Sequence, residues 1–188
     1  MNDYFWFDAI KQSIRKNKRA RENRYFQLAT LSRDGSPSNR TVVFRGFADG
    51  SNSIKAITDT RSSKFTEIES NAMCEVCWYF AITREQFRIK AAAAIDHEAS
   101  SQERLKVWSE LSASAKEQFF WAAPGAPLRS LVDDQCISSQ PVEEPPNSFA
   151  LLVLSPISVD HLTLKGKPQT RWYSKKSEDG WSANAVNP

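Results

Sequence analysis

The feature that most constrains the fold is a series of period-two segments joined by short turns. Residues 25–31 and 39–47 flank an Asp-Gly turn at Asp34, which is a typical β-hairpin sequence. A second Asp-Gly turn leads into a third strand at residues 53–58. Because strands with connections this short pair in antiparallel fashion, the pattern predicts a β-meander or a β-barrel.

The rest of the chain alternates strands with short helices. Further strands are predicted at residues 73–80, 86–95, 149–154, 157–164 and about 169–175. Helices are predicted at residues 3–18, 62–69 and 113–121, and from a capping box at residues 100–103 that precedes the buried stripe Leu105, Trp108 and Leu111. About seven strands with flanking short helices predict an α+β protein, mainly an antiparallel barrel, in a single domain over residues 1–188.

The charge balance narrows the function classes. The chain has 25 Lys and Arg against 22 Asp and Glu, so its formal net charge is only +3. A dedicated nucleic-acid binder would carry a larger or more concentrated positive charge. The amino terminus lacks the pattern of a signal peptide and no apolar run approaches ~20 residues, so we expect a cytoplasmic protein outside the membrane.

Cysteine and histidine usage predicts neither a disulfide framework nor a metal site. Cys74 and Cys77 form a C-x-x-C sequence in a predicted strand, where residues three apart point to opposite faces, so a buried structural role is predicted. The third cysteine, Cys136, makes the number odd, which agrees with a reducing compartment. His97 and His161 are too few for a histidine-rich metal site, and the sequence contains no glycine-rich phosphate-binding loop.

A basic stretch at residues 15–21 leaves two interpretations open. In the first, it is the solvated end of the first helix, where positive charge suits the helix dipole. In the second, residues 11–24 bind nucleic acid and Trp172 and Tyr173 provide stacking platforms. No aromatic residues interleave with the charges, which favours the first interpretation.

Cationic and hydroxyl side chains recur at the predicted strand ends. They are Arg40, Arg45, Thr58, Arg61, Ser62, Ser63 and Lys64. A helix that begins near Ser62 would direct its free N–H groups and positive dipole end toward an anion, and Lys64 would add a charge-assisted bond. From the residues alone, a phosphate site and ordinary solvated charges both remain open.

Several sequence runs around and beyond these residues follow a characteristic order. They are Arg40-Thr41-Val42-Val43-Phe44-Arg45, Thr58 with Ser62-Ser63-Lys64, Glu85-Gln86-Phe87-Arg88-Ile89 and Gln169-Thr170-Arg171-Trp172-Tyr173. In kind and order they resemble the motifs of the pyridoxamine 5'-phosphate oxidase-like flavoproteins: an R-x-V-x-x-K/R strand, a hydroxyl with an S-R-K phosphate element, a glutamine-bearing strand and a C-terminal arginine. The run from Trp121 to Pro127 is similar to the W-x-x-P-G-x-P element of a subgroup of FMN-binding relatives. The resemblance spans about residues 20 to 175.

The resemblance implies a split β-barrel of the FMN-binding type with FMN as the cofactor. It implies that Arg40 and Lys64, with Arg61 or Ser63, hold the phosphate, and that Arg45, Gln86 and Arg171 lie near the isoalloxazine ring. The complete predicted cofactor site is Arg40, Thr41, Val42, Val43, Arg45, Thr58, Arg61, Ser62, Ser63, Lys64, Gln86 and Arg171. No catalytic residue is assigned.

The resemblance also implies a homodimer with FMN at the subunit interface. That arrangement bears on a geometrical conflict, because Arg40 and Arg45 are five apart and point to opposite faces of an unbroken strand. Arg40 and Arg45 could both contribute to FMN binding if the strand bends between them, or if each site contains residues of two chains.

The chain also departs from the family pattern. Ser63 stands where the S-R-K element has arginine. In the family, a helix carries a substrate-binding Tyr, Arg and Ser, whereas the corresponding helix here has the sequence Leu105-Lys106-Val107-Trp108-Ser109-Glu110. The C-terminal R-x-H pair is replaced by Lys167-Pro168-Gln169. We therefore predict an FMN-dependent oxidoreductase of unknown substrate, with two alternatives: a non-catalytic flavin-binding or sensing protein, and a nucleic-acid-binding barrel.

Overall fold

The computed structural model describes residues 5–127 and 143–188, and its strands form one antiparallel sheet. The strands are β1 (Tyr25–Leu31), β2 (Pro37–Val43), β3 (Ile54–Asp59), β4 (Met73–Phe80), β5 (Glu85–Asp96), β6 (Phe149–Thr163), β7 (Thr170–Ser177) and β8 (Gly180–Val186). The strand order is β2-β1-β4-β5-β6-β7-β8, and β3 pairs with β6. The predicted α+β class and antiparallel split barrel are confirmed.

The barrel closes through β6, which has three partners. Its first half pairs with β3, its second half pairs with β7, and β5 runs along both halves. The prediction of two strands, 149–154 and 157–164, is therefore wrong: they are one strand. Pro156 suggested a break because it has no N–H donor, but it lies opposite Ala91 where the register shifts, and the irregular pairing accommodates it.

Strand β8 was not predicted. It forms a hairpin with β7 and lies at the edge of the sheet, where most of its side chains are exposed or half-buried. Because an edge strand with little burial needs no apolar alternation, its sequence carried no strand signal.

The predicted strand over residues 39–47 is shorter in the structure. Strand β2 ends at Val43, after which the chain leaves β1 and approaches β3. The Arg45 amide donates to the Lys55 carbonyl at 2.8 Å, and Gly46 has a φ of +104°, a conformation that favours glycine. The chain therefore turns toward β3 after Val43, so the alternation of an unbroken strand does not extend to Arg45.

Short helices flank the barrel. They are α1 (Trp6–Lys16), α2 (Ser63–Ser70), α3 (Gln102–Ser109) and α4 (Ala113–Glu117), with 3-10 turns at Arg21–Arg24 and Gln118–Phe120. The predicted helix over residues 113–121 is thus split into α4 and a 3-10 turn. None of the helices in residues 5–127 and 143–188 combines the length and the apolar character that a bilayer span requires.

Helix α1 packs against the main core. Trp6 and Ile10 are fully buried, and the Trp6 ring lies 5.2 Å from that of Trp181 on β8. Arg15 and Lys16 lie in the last turn of α1 and are exposed, which agrees with a solvated helix end. The helix therefore secures the β7–β8 hairpin to the barrel.

A smaller apolar cluster lies under α3 and the 3-10 turn that follows α4. Trp108, Phe119 and Phe149 pack edge to face with ring centroids 4.9 to 5.9 Å apart. The predicted capping box is wrong in detail: the N-cap is Ser101 and not Ser100, and its Oγ accepts a hydrogen bond from the Arg104 amide, so arginine and not Glu103 occupies the third helical position. Of the predicted stripe, Trp108 and Leu111 are buried and Leu105 is half-buried. This cluster places the chain after Phe119 beside the end of β3.

Candidate functional site

A cleft of about 420 Å³ lies where β2 and β3 end and α2 begins. Its first wall contains six of the residues predicted from the sequence: Thr41, Val42, Val43, Arg45, Thr58 and Lys64. The opposite wall, here called the aromatic wall, consists of residues 118–124 and contributes Gln118, Phe119, Trp121, Ala122 and Pro124. The first wall therefore carries the cationic side chains of the cleft beside apolar ones, and the aromatic wall is largely apolar.

The polar end is built around the start of α2. Thr58 and Ser62 are buried, and Ser62 Oγ donates to the Asp59 carbonyl at 2.7 Å and accepts from Lys64 Nζ at 3.0 Å. Burial, and then the positive charge of Arg40, lower the pKa of Lys64. A bound anion would offset both effects and stabilise the charged ammonium. The position of Lys64 beside a helix start therefore suits a phosphate.

Arg45 supplies an unsatisfied donor on the same wall. Its Nε is buried and has no hydrogen-bond partner within the described residues. Burial, and then the positive charge of Arg24, lower the pKa of Arg45. A buried donor without a partner is costly, so its presence in the cleft fits a ligand that accepts a hydrogen bond.

Arg40 is not among the residues that line the cleft. Its guanidinium donates to Glu67 at 2.6 Å and also to Thr30. Burial disfavours ionisation of Glu67, but the hydrogen bonds from Thr30, Arg40 and Ser38 outweigh burial and lower its pKa. Arg40 therefore adds positive potential near Lys64 and does not itself line the cleft. Its predicted contact with phosphate stays a prediction.

Arg61 is likewise engaged by the protein. Its Nε and Nη2 bind the Asp59 carboxylate at 2.9 and 2.7 Å, while Nη1 donates to the Trp121 carbonyl at 2.9 Å. Nη2 also donates to the Phe119 carbonyl at 3.3 Å. Ser63 stands where the S-R-K element of the family has arginine. It is the first residue of α2 and is exposed.

Gln86 and Arg171 lie away from this cleft, on the outer face of the sheet. The strand register places both opposite Leu162, one on each side. Gln86 Nε2 approaches Cys77 Sγ at 3.6 Å, and Arg171 binds Asp160 through two hydrogen bonds of 2.9 and 2.6 Å. Within one chain, Gln86 and Arg171 therefore do not line the cleft that contains Arg45, Thr58 and Lys64.

The C-x-x-C prediction is partly confirmed. Cys74 is buried and points inward, whereas Cys77 is half-buried on the outer face; both are free thiols. Burial raises the pKa of Cys74 to about 12 and also raises the pKa of Cys77. Cys136 lies outside the described residues. No group of three or more His, Cys, Asp or Glu side chains in the described ranges is arranged to hold a metal ion.

Sequence reasoning missed two parts of the cleft. Asp59 follows Thr58 and lines the cleft, but a single acidic residue at a strand end carries no distinctive signal. Trp121, which was not included in the predicted cofactor site, is 45% exposed and lines the cleft, whereas Trp78 and Trp108 are buried. The W-x-x-P-G-x-P element, which begins at Trp121, was the sequence feature that could have predicted its place in the site.

The fold and the cleft together define a class: a split-barrel protein with a cationic pocket at a helix start. A profile of the family "Pyridoxamine 5'-phosphate oxidase, FMN-binding domain" matches residues 3–96. A pyridoxine/pyridoxamine 5'-phosphate oxidase 2 from Arabidopsis thaliana is 35% identical over 97% of this chain and 96% of that protein. The chain belongs to the pyridoxamine 5'-phosphate oxidase FMN-binding family, and its cofactor is FMN.

Solved structures agree with this membership. A pyridoxamine 5'-phosphate oxidase-related, FMN-binding protein from Nostoc punctiforme covers both chains completely with a TM-score of 0.90 and 39% identity. PhzG from Burkholderia lata, solved with tetrahydrophenazine-1-carboxylic acid, covers 100% of this chain and 99% of its own with a TM-score of 0.84. Because its identity is 18%, this second match shows the common fold alone.

Proposed function

We propose that the protein is an FMN-dependent oxidoreductase whose cofactor occupies the cleft between β2, β3 and α2. The observation that carries the proposal is the pairing of Lys64, beside a helix start, with the unsatisfied Arg45 donor in one cleft. When bound, FMN supplies the hydride-accepting chemistry. The protein's part is to bind the phosphate, orient the ring and provide donors near it.

The phosphate would be held at the polar end. Lys64 offers a charged donor, and Thr58, Ser62 and Ser63 offer hydroxyl groups around the start of α2. The free N–H groups of the first helical turn add to these donors. Arg40 contributes through its positive charge, as its effect on the pKa of Lys64 indicates.

The ring would lie toward Arg45 and the aromatic wall. Thr41, Val42 and Val43 form the β2 side of the cleft. A guanidinium close to a flavin stabilises negative charge on the reduced ring and so favours its reduction. Arg45 is suited to this role because its Nε has no other partner in the described residues.

We further propose a homodimer in which each FMN is completed by the partner chain. Gln86 and Arg171 are outside the cleft of their own chain, and the outer face that carries them exposes large apolar side chains such as Tyr79 and Tyr173. An exposed apolar surface of this kind is typical of a protein interface. The free thiols of Cys74 and Cys77 support a reducing, cytoplasmic location.

A second candidate is a flavin protein without turnover on pyridoxine or pyridoxamine phosphates. It is favoured by α3, whose buried Arg104 is committed to the Phe149 and Pro146 carbonyls at 3.0 and 2.8 Å. That arginine is thus not available to clamp a substrate phosphate. The relative from Arabidopsis thaliana carries the name of an oxidase for those compounds, so they are the first substrates to test.

The test begins with the purified protein and FMN titration. Wild type and the exposed-lysine control Lys18→Met should bind FMN equally, whereas Lys64→Met should weaken binding by about 10- to 100-fold through loss of a charge-assisted bond. Oxygen consumption with pyridoxamine 5'-phosphate and pyridoxine 5'-phosphate then separates the two candidates. If Lys64→Met bound FMN as tightly as the control, the proposed cleft would be wrong.

A further inference from the structure

Arg61 joins the two sides of the cleft. One edge of its guanidinium binds Asp59 at the end of β3, and the other edge donates to the carbonyls of Phe119 and Trp121 in the aromatic wall. Each of its three nitrogens therefore already has a protein acceptor, although the side chain remains 34% exposed. A phosphate would have to displace or share these acceptors.

The charge of Arg61 is also compensated. Asp59 lines the cleft, and its carboxylate accepts two hydrogen bonds from Arg61, which raise the pKa of the guanidinium. An unpaired Asp59 would repel a phosphate in the same cleft. The ion pair thus makes this corner of the cleft nearly neutral, and the other cations of the cleft lining are Lys64 and Arg45.

The two wall carbonyls differ in how firmly they are held. Phe119 is 8% exposed, packs in the smaller apolar cluster, and its carbonyl also accepts from Ser148 Oγ at 2.7 Å. Trp121 is 45% exposed, and its carbonyl accepts from Arg61. Loss of the Arg61 bond would therefore release Trp121 while Phe119 stayed in place.

We propose that Arg61 is a positioning residue that fixes Trp121 in the aromatic wall and does not bind the cofactor phosphate. By holding Trp121, it sets the width of the cleft and the aromatic surface that a substrate meets. This consequence for the substrate rests on the proposed function. The attachment of the wall rests on the hydrogen bonds alone and is tested without FMN.

Hydrogen exchange of the full chain without FMN tests the attachment. Arg61→Lys keeps the charge opposite Asp59, so folding is preserved, but a single ammonium cannot reproduce the fork of bonds to Asp59 and both carbonyls. In Arg61→Lys, amide hydrogen exchange in residues 121–126 should become about tenfold faster, because the charge-assisted hydrogen bond from Arg61 to the Trp121 carbonyl is lost. The control Ser148→Ala removes the other bond to Phe119 and should leave residues 121–126 within about twofold of wild type.

The ratio of the riboflavin Kd to the FMN Kd tests the phosphate role, since the two ligands differ by the phosphate. The double variant Asp59→Asn with Arg61→Gln leaves the net charge unchanged and should keep this ratio within about twofold of wild type, whereas Lys64→Met should lower it by about tenfold or more. A fall in the double variant like that of Lys64→Met would make Arg61 a phosphate ligand and overturn the proposal.

The two readouts also separate this inference from the proposed function. Unchanged exchange at residues 121–126 in Arg61→Lys would overturn the positioning role even if FMN binds in the cleft. Failure of wild type to bind FMN would overturn the proposed function, while the exchange result would still decide whether Arg61 holds the wall.

Discussion

Glu85 is a half-buried carboxyl at the start of β5 that joins the sheet to α1. Its two oxygens bind His161 Nε2 at 3.2 Å and Ser13 Oγ at 2.7 Å, and the side chain is 16% exposed. Burial alone would raise its pKa, but the hydrogen bonds from His161, Thr83 and Ser13 outweigh burial and lower the pKa to about 2. Since Ser13 lies on α1, this carboxylate joins the helix to the sheet.

The low pKa of Glu85 predicts a pH-dependent contribution to stability. A carboxyl with a depressed folded-state pKa stabilises the fold fully above its ordinary value of 4.5, and this stabilisation is lost as the pH falls toward about 2. Glu85→Gln should therefore lower the free energy of unfolding by about 1–3 kcal/mol at pH 7 and by less at pH 3. Urea unfolding at both pH values checks this.

The exposed Glu98 provides the control for that measurement. Glu98→Gln should change stability little at either pH. An equal loss for Glu85→Gln at pH 7 and pH 3 would show that the carboxylate charge is not responsible.

At the scale of elements, α3 is positioned by its cap and by Arg104. The Ser101 hydroxyl accepts from the Arg104 amide at 3.2 Å and donates to Asp96. The Arg104 side chain then binds the carbonyls of Phe149 and Pro146. These contacts fix α3 over the start of β6, and so support the cluster under the aromatic wall.

Removal of the α3 cap is predicted to cost about 1 kcal/mol, a typical value for loss of an N-cap hydroxyl. Ser101→Ala tests this, and the neighbouring Ser100→Ala is a matched control because its exposed hydroxyl is not the cap. Thermal unfolding should show a lower Tm for Ser101→Ala than for Ser100→Ala. Equal Tm values would mean that tertiary contacts, not the cap, determine where α3 begins.

At the scale of the whole molecule, the outer face of the sheet connects the predicted residues that the cleft does not contain. Tyr79, Gln86, Leu162 and Arg171 occupy one row across β4, β5, β6 and β7. Residues paired in this way share a face of the sheet, and Tyr79 is 44% exposed. A second chain packed on this face would bury the row. Gln86 and Arg171 of each chain would then complete the cleft of the other chain.

Tyr79→Glu is predicted to dissociate the proposed dimer and to weaken FMN binding at the same time. A carboxylate at position 79 would have to be desolvated when the proposed interface forms, which costs free energy. Sedimentation across a concentration series measures the first effect, and FMN titration measures the second.

Ile82→Glu is the control for the dimer prediction. Ile82 is 58% exposed but lies in the turn between β4 and β5, outside the row. It should leave both dimerisation and FMN binding unchanged. A monomeric wild type with full FMN affinity would contradict the proposed shared site.

Local patterns were sufficient to predict the elements that bury one side. The hairpin at Asp34, a serine N-cap before α3 and the start of α2 are each set by a few neighbouring residues, and all three are present in the structure, although the N-cap is Ser101 and the full capping box is not formed. The exposed strand β8 and the continuity of β6 through Pro156 were not predicted, because both depend on pairing with strands distant in the sequence.

The sequence by itself determined the barrel class, the order of the motifs and the residue types at the polar end of the cleft, since turn chemistry, alternation and helix starts act over short distances. Only the tertiary structure decided which cations face the cleft. Arg40 pairs with Glu67 and Arg61 pairs with Asp59, whereas Lys64 and Arg45 line the cleft and form no ion pair with a carboxylate in residues 5–127 and 143–188. The physical reason is that the partner of a charge is chosen by proximity in the folded chain, and Glu67 reaches Arg40 from a different element 27 residues away.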